Sequence, residues 1–258
     1  MKKIDYRVAL PNFITIISLC LGLNSIKLAF ENNFEKAIIF IVLAAILDAL
    51  DGRIARMIKG TSKFGAELDS LTDFVNFGVC PSLIIYFWSL SSIKFYGWIA
   101  CLIYVVACCL RLARFNLDHE SKSKNDWKVN FFSGVPSPAA AGLILMPMII
   151  SFSEFNLNFI NNHIVLAIVV IVAFLMISKI PTYALKKIEI SKKFFILIML
   201  FVVLYFSLLF NKTFETLVVT GIIYSLSIPI SFFHYVNKKR NYEKSNKKGE
   251  SIISDEII

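Results

Sequence analysis

Residues 48–73 read DALDGRIARMIKGTSKFGAELDSLTD. Four aspartates, Asp48, Asp51, Asp69 and Asp73, fall inside this stretch, between the apolar runs AIIFIVLAAIL upstream and FVNFGVCPSLIIYFW downstream. An aspartate at the centre of a membrane helix costs about 2.5–3.5 kcal/mol on insertion scales, and several close together repel one another. Such a cluster needs a counter-charge, and bound divalent cations are the simplest one. Asp48 and Asp51 are three residues apart and Asp69 and Asp73 four, so on helices each pair shares a face. The segment KGTSKFG between the pairs has two glycines and no apolar period, which predicts a short turn. Two antiparallel helices then bring both pairs together at one end. Hard oxygen ligands in that number suit Mg²⁺, Mn²⁺ or Ca²⁺ rather than zinc.

Working outward, the chain has 258 residues, of which 57% are hydrophobic, and a mean hydropathy of +0.70. Soluble domains are usually about 45–50% apolar, so the expected class is all-α: a polytopic integral membrane bundle. At roughly 20 residues per crossing, about eight segments can span, near 10–30, 34–58, 65–90, 94–116, 136–153, 162–179, 193–210 and 214–236. These predict one membrane domain over 1–236, with a catalytic core at about 10–190. A polar, basic cytoplasmic tail over 237–258 would lie along the membrane. The start, MKKIDYRVALPNFITIISLCLG, has a basic end and an apolar run but no small-x-small cleavage site, and is read as a retained first helix. Cys20, Cys80, Cys101, Cys108 and Cys109 lie in apolar stretches without metal spacing and predict no disulfide framework. His119, His163 and His234 are scattered and receive no catalytic role.

The net charge of +9 would suggest nucleic acid in a soluble protein. Here the basic residues flank apolar runs, so orientation and anionic lipid explain them better, and no nucleic-acid partner is expected. Lys2, Lys3 and Arg7 precede the first span; Arg53, Arg56, Lys59 and Lys63 sit at the second-to-third turn. Arg111, Arg114, Lys122, Lys124 and Lys128 follow the fourth span, and Lys179, Lys186, Lys187, Lys192 and Lys193 follow the sixth. Further lysines close the chain, whereas the alternate turns hold only Lys36, Lys94 and Lys212. By the positive-inside rule both termini and the carboxylate cluster then face the cytoplasm across the inner membrane.

Asp51, Gly52, Ala55, Arg56, Gly65, Asp69 and Asp73, with Asp48 three residues upstream, resemble the signature of the CDP-alcohol phosphotransferase family without a departure. The resemblance implies transfer of a phosphatidyl-type group from a CDP-linked lipid to an alcohol, with release of CMP. It implies Asp48, Asp51 and Asp69 as ligands of two divalent ions, Mg²⁺ or Mn²⁺. Asp73 becomes the general base that also touches metal, and a homodimer is the expected assembly. The physics runs alongside. Four bare aspartates would repel a pyrophosphate; divalent ions between them invert that sign and polarise the phosphoryl oxygens. Gly52 and Gly65 let backbone approach a nucleotide closely. Arg56 lies one turn beyond Gly52 and can fork onto a phosphate, and Ser62 in the turn can hydrogen-bond the cytidine or its phosphate. The structural alternatives are that Gly52 and Ala55 only allow helix packing, that Arg56 only snorkels to the interface, and that the whole stretch is a solvated loop. LPNFIT, residues 10–15, is similar to the family's PNxxT start and puts Asn12 and Thr15 near the nucleotide, although many helices begin this way. Members close to this pattern often carry Asn where Ser18 stands here.

NFGVCP at 76–81, RLARFN at 111–116 and FSGVPSPAAA at 132–141 narrow the resemblance to the phosphatidylserine synthase branch, covering roughly 10–190. That branch implies CDP-diacylglycerol and L-serine as substrates. Serine needs a carboxylate clamp, and Arg111 and Arg114, three apart at a membrane-buried helix end, are candidates; a bidentate guanidinium suits a carboxylate. Asn76 and Asn116 are polar groups in reach of the same region. Positive-inside anchoring is the alternative for both arginines, and helix packing for AAAG at 139–142. Other readings are a family member using glycerol 3-phosphate or an inositol phosphate, which would want more basic residues by the acids; a membrane prenyltransferase, expected to carry its aspartates on distant helices; and a cation transporter, expected to repeat its acids in both halves.

Overall fold

The computed structural model describes residues 6–120, 131–155, 160–178, 180–183 and 192–255. Long rods of helix follow the apolar segments. They are α1 (Tyr6–Phe30), α2 (Phe34–Met57), α3 (Lys63–Asp73) continuing through a π-helical segment (Phe74–Val79) into α4 (Cys80–Trp88), α5 (Phe95–Glu120), α6 (Ser137–Phe152), α7 (Asn162–Ile177), α8 (Lys192–Asn211) and α9 (Thr213–Asp255). Among the described residues, Arg7–Phe30, Lys63–Trp88, Phe95–Leu117 and Thr213–Val236 are long and apolar enough to cross a membrane, and three shorter apolar helices accompany them. The chain is an integral membrane protein of helical, polytopic character. α2 is equally long but carries Asp48, Asp51, Arg53 and Arg56 in its last turns.

The core lies among α2, the π-helical segment and α4–α7, where Phe77, Ile84, Tyr104, Ile144, Met148 and Met176 are fully buried. α8 is different: Leu197, Leu200, Phe201 and Val203 are all exposed, as expected of a helix that is apolar all round and lies in lipid. The five cysteines are free thiols.

Three features depart from the expectation. The rod predicted at 65–90 changes pitch at Phe74–Val79, where Cys80 N–H bonds Val75 O across a wider turn. Pro81 has no N–H to return to Phe77 O, and the Tyr104 hydroxyl from α5 donates to that carbonyl at 2.7 Å instead. Second, a strand, β1 (Phe131–Ser133), precedes the helix predicted at 136–153. It pairs antiparallel with β2 (Pro181–Tyr183), Phe131 opposite Tyr183. Gly134 follows at φ +81°, and a Cβ there would stand 2.6 Å from Met176 O. Its N–H donates to Ile180 O at 2.9 Å and its carbonyl accepts from Thr182 Oγ1 at 2.8 Å, so the bend that launches α6 is held against the end of α7. Third, α9 runs on to Asp255, so the polar stretch after 236 continues a helix. Lys2, Lys3, Lys122, Lys124, Lys128, Lys179, Lys186 and Lys187, used above for orientation, lie outside the described residues.

Candidate active site

The acids meet because α2 ends sharply. Lys59 takes φ +56°, Gly60 N–H bonds Ala55 O at 2.9 Å and Lys59 N–H bonds Arg56 O at 3.4 Å, a Schellman closure. Gly60 is required by a close approach: a Cβ there would fall 1.8 Å from Arg7 O. Two residues on, Ser62 caps α3, its Oγ accepting from Gly65 N–H at 2.9 Å. The predicted turn is therefore real, and the helices on either side of it, α2 and α3, both pack on α1.

One carboxylate oxygen each from Asp48, Asp51 and Asp69 lies within 4.8 Å of the others. The Asp73 side chain meets that of Asp48 and feels the charges of Asp69 and Arg111. Asp48 Oδ1, Asp51 Oδ1 and Asp73 Oδ1 are buried without a hydrogen-bond partner among the described residues. Buried carboxylate oxygens are ordinarily satisfied, and leaving them unmatched is costly. A hard divalent cation accepts oxygens of this kind and number, so the residues fit such an ion. Thr15 Oγ1 donates into the same group, toward Asp51 Oδ2, and also lies 3.1 Å from Pro11 O.

Beside the acids, α1, α2 and α3 enclose a cavity of about 410 Å³. Asn12, Thr15, Gly52, Arg56, Ser62 and Gly65 all line it, together with Asp51 and Asp69. A Cβ at Gly52 would meet nothing within 4 Å, so this glycine is not closing a helix contact; its bareness leaves room in the cavity. Gly65 differs: a Cβ would stand 2.8 Å from Asn12 Oδ1, so its smallness lets α1 and α3 approach. Ser62 has a structural duty as the cap of α3, and Arg56 is exposed at the mouth. Glu67, off the motif, is exposed as well.

The four residues predicted at the acceptor side separate. Arg111 is buried, its Nη1 donating to Ser137 Oγ at 2.8 Å, with its Nε unpartnered among the described residues and its charge felt by Asp73. Arg114, one turn on, donates from Nη1 to Ile177 O at 2.9 Å and ties α5 to the end of α7. Asn76 is fully buried in the π-helical segment, its Nδ2 donating to Ser18 Oγ at 2.9 Å. Ser18 in turn donates to Ala44 O at 2.9 Å, so the departure at this position serves a polar node joining α1, α2 and the π segment. Asn116 exchanges hydrogen bonds with Ser70 at the surface of α3. Ser137 is not singled out in the sequence, although it lies in the FSGVPSPAAA stretch that carries the branch resemblance.

A profile of the CDP-alcohol phosphatidyltransferase family matches residues 8–176. Similar proteins include a CDP-diacylglycerol–serine O-phosphatidyltransferase of Mycobacterium tuberculosis, 44% identical over 143 residues, 54% of this chain and 50% of the relative. A Helicobacter pylori protein of the same name is 37% identical over 207 residues, 80% and 84% of the two chains. One of Bacillus subtilis is 35% identical over 179 residues, 69% and 92%. The matched part spans about half the length of the mycobacterial relatives.

Proposed function

Since the chain belongs to the CDP-alcohol phosphatidyltransferase family, we propose that it transfers the phosphatidyl group of CDP-diacylglycerol to the hydroxyl of L-serine, giving phosphatidylserine and CMP. The observation that carries this reading is the set of buried, unmatched oxygens of Asp48, Asp51 and Asp73, next to a cavity that Asp51 and Asp69 line. The serine acceptor draws its support from the relatives' names and from the single buried guanidinium of Arg111 near Asp73.

Asp48, Asp51 and Asp69, with Asp73 beside them, would hold divalent cations, two of them, Mg²⁺ or Mn²⁺. When bound, the ions neutralise the diphosphate and polarise the phosphoryl group. Asn12, Thr15, Gly52, Arg56, Ser62 and Gly65 receive the CDP moiety in the cavity: the glycines and Asn12 set its width, and Arg56 reaches the phosphates from the mouth. Asp73 takes the proton of the serine hydroxyl. The serine oxygen then bonds to the phosphorus that carries diacylglycerol, and the bond from that phosphorus to the bridging oxygen breaks, releasing CMP. Arg111 binds the serine carboxylate. Arg114, already engaged with α7, holds the helix that presents Arg111, and Asn76 and Asn116 support the same region through Ser18 and Ser70. A phosphorylated acceptor would want more cationic partners beside Asp73 than Arg111 supplies.

The catalytic unit is residues 1–236, with its core at about 10–190, crossing the inner membrane about eight times with the acids and both termini in the cytoplasm. It works as a homodimer. Purified protein given CDP-diacylglycerol, Mg²⁺ or Mn²⁺ and a panel of alcohols should release CMP with serine above all others; release with glycerol 3-phosphate or an inositol phosphate instead would overturn the acceptor assignment.

A further inference from the structure

One turn deeper than the acids lies a second polar layer, built from the same three elements. Thr15 on α1 donates to Asp51. Three residues on, Ser18 is fully buried, its Oγ accepting from Asn76 Nδ2 at 2.9 Å and donating to Ala44 O at 2.9 Å. Ala44 precedes Asp48 by one turn of α2, and Asn76 follows Asp73 by three residues. Asp48 and Asp73 are the acids whose side chains meet across the two elements. Ser18 therefore joins, through neutral groups, the two segments that carry them. The fit is close: Asn76 is fully buried, and a Cβ at Gly22, one turn beyond Ser18, would collide with Asn76 Oδ1.

The acid layer opposes its own assembly. Asp48, Asp51 and Asp69 bring carboxylate oxygens within 4.8 Å of one another, and like charges that close push apart the helices bearing them. Until a cation arrives, α2 and the π segment are held together by contacts that carry no charge, and the Ser18 bridge spans them one turn from the acids. A site held in shape beforehand loses no affinity to its own assembly. We propose that Ser18 and Asn76 are a positioning pair, whose hydrogen bond holds Asp48 and Asp73 in place for a divalent cation before the ion is present. The pair thus sets ion affinity through the helices rather than by contact. The inference rests on the divalent-ion reading above.

Full-length protein in detergent, titrated with Mn²⁺ without substrate and followed by electron paramagnetic resonance of the free ion, tests the pair. Ser18→Ala removes the bridge and little volume, and its half-saturation should rise about fivefold. The double variant Ser18→Asn/Asn76→Ser exchanges the amide and the hydroxyl across the same gap, and should return to within about twofold of wild type. Asn162→Ala, which cuts the bond from Ser89 at the start of α7, controls for lost stability and should bind Mn²⁺ as wild type does. Wild-type uptake that is unaltered in Ser18→Ala would overturn the inference alone. An equal weakening in Asn162→Ala, or an exchange variant that keeps its Tm and binds as weakly as Ser18→Ala, would overturn it as well. No Mn²⁺ uptake by wild type removes the divalent-ion reading, and the inference with it.

Discussion

The two ends of the bundle treat polar side chains in opposite ways. At the end away from the acids, polar groups close on one another. Ser89 Oγ donates to Asn162 Oδ1 at 2.8 Å, Asn162 Nδ2 donates to Ser92 Oγ at 2.6 Å, and Ser92 Oγ donates to Ser89 O at 2.7 Å. Lys212 and Glu154 pair at 3.1 Å nearby. At the acid end, Asp48, Asp51 and Asp73 each keep a buried oxygen unmatched, and Arg111 keeps Nε. Both ends carry polar side chains at the margins of apolar helices. One end spends its polar groups on holding helices together, whereas the other leaves them to be completed by ligands. Function is to be sought where the fold stops short of satisfying itself.

Substitutions can break this contrast. The largest effect is expected at the acid end, where Asp73→Asn keeps the shape and removes the base: CMP release should fall about 10²–10⁴-fold, with CDP-diacylglycerol still bound in an equilibrium assay. Activity within the wild-type range would strip Asp73 of its role as base. An intermediate effect should separate the two arginines. Arg111→Lys loses the fork and should raise serine KM about tenfold. Arg114→Lys should leave serine KM nearly unaltered and lower stability by about 1 kcal/mol, as read by Tm, through the lost bond to Ile177 O. Equal serine KM changes in the two variants would erase the distinction between a ligand contact and a tie. The smallest catalytic effect belongs to the other end. Asn162→Ala should cost about 1 kcal/mol of stability, since it removes the acceptor of Ser89 Oγ and the donor to Ser92 Oγ, and turnover at a temperature where the variant is folded should match wild type. A serine KM shift in that variant would show that the two ends are coupled.

The helices and the acid pairs were legible for local reasons. Apolar runs of membrane-crossing length admit little but helix, and Asp48–Asp51 and Asp69–Asp73 repeat at helical spacing on either side of a glycine-bearing turn. The cavity residues were legible too: Asn12, Thr15, Gly52, Arg56, Ser62 and Gly65 surround one space. What escaped depends on distant partners. The β1–β2 ladder joins residues about fifty positions apart through a bend that only Gly134 accommodates, and short strands at helix ends leave no period to read. The π-helical segment follows from Pro81, but its stability needs Tyr104 to arrive from α5. Arg111 and Arg114 look alike in sequence, three apart on one helix, and differ only because Ser137 meets one and the end of α7 meets the other.

The central claim is that acids from α2 and α3 hold divalent cations for a lipid-linked diphosphate. Electron paramagnetic resonance of free Mn²⁺, titrated against purified protein without substrate, tests it most directly. Saturable binding by wild type, lost in the Asp48→Asn/Asp51→Asn double variant while its Tm is retained, is the predicted result. Equal Mn²⁺ uptake by the two proteins, or none by wild type, would contradict the account.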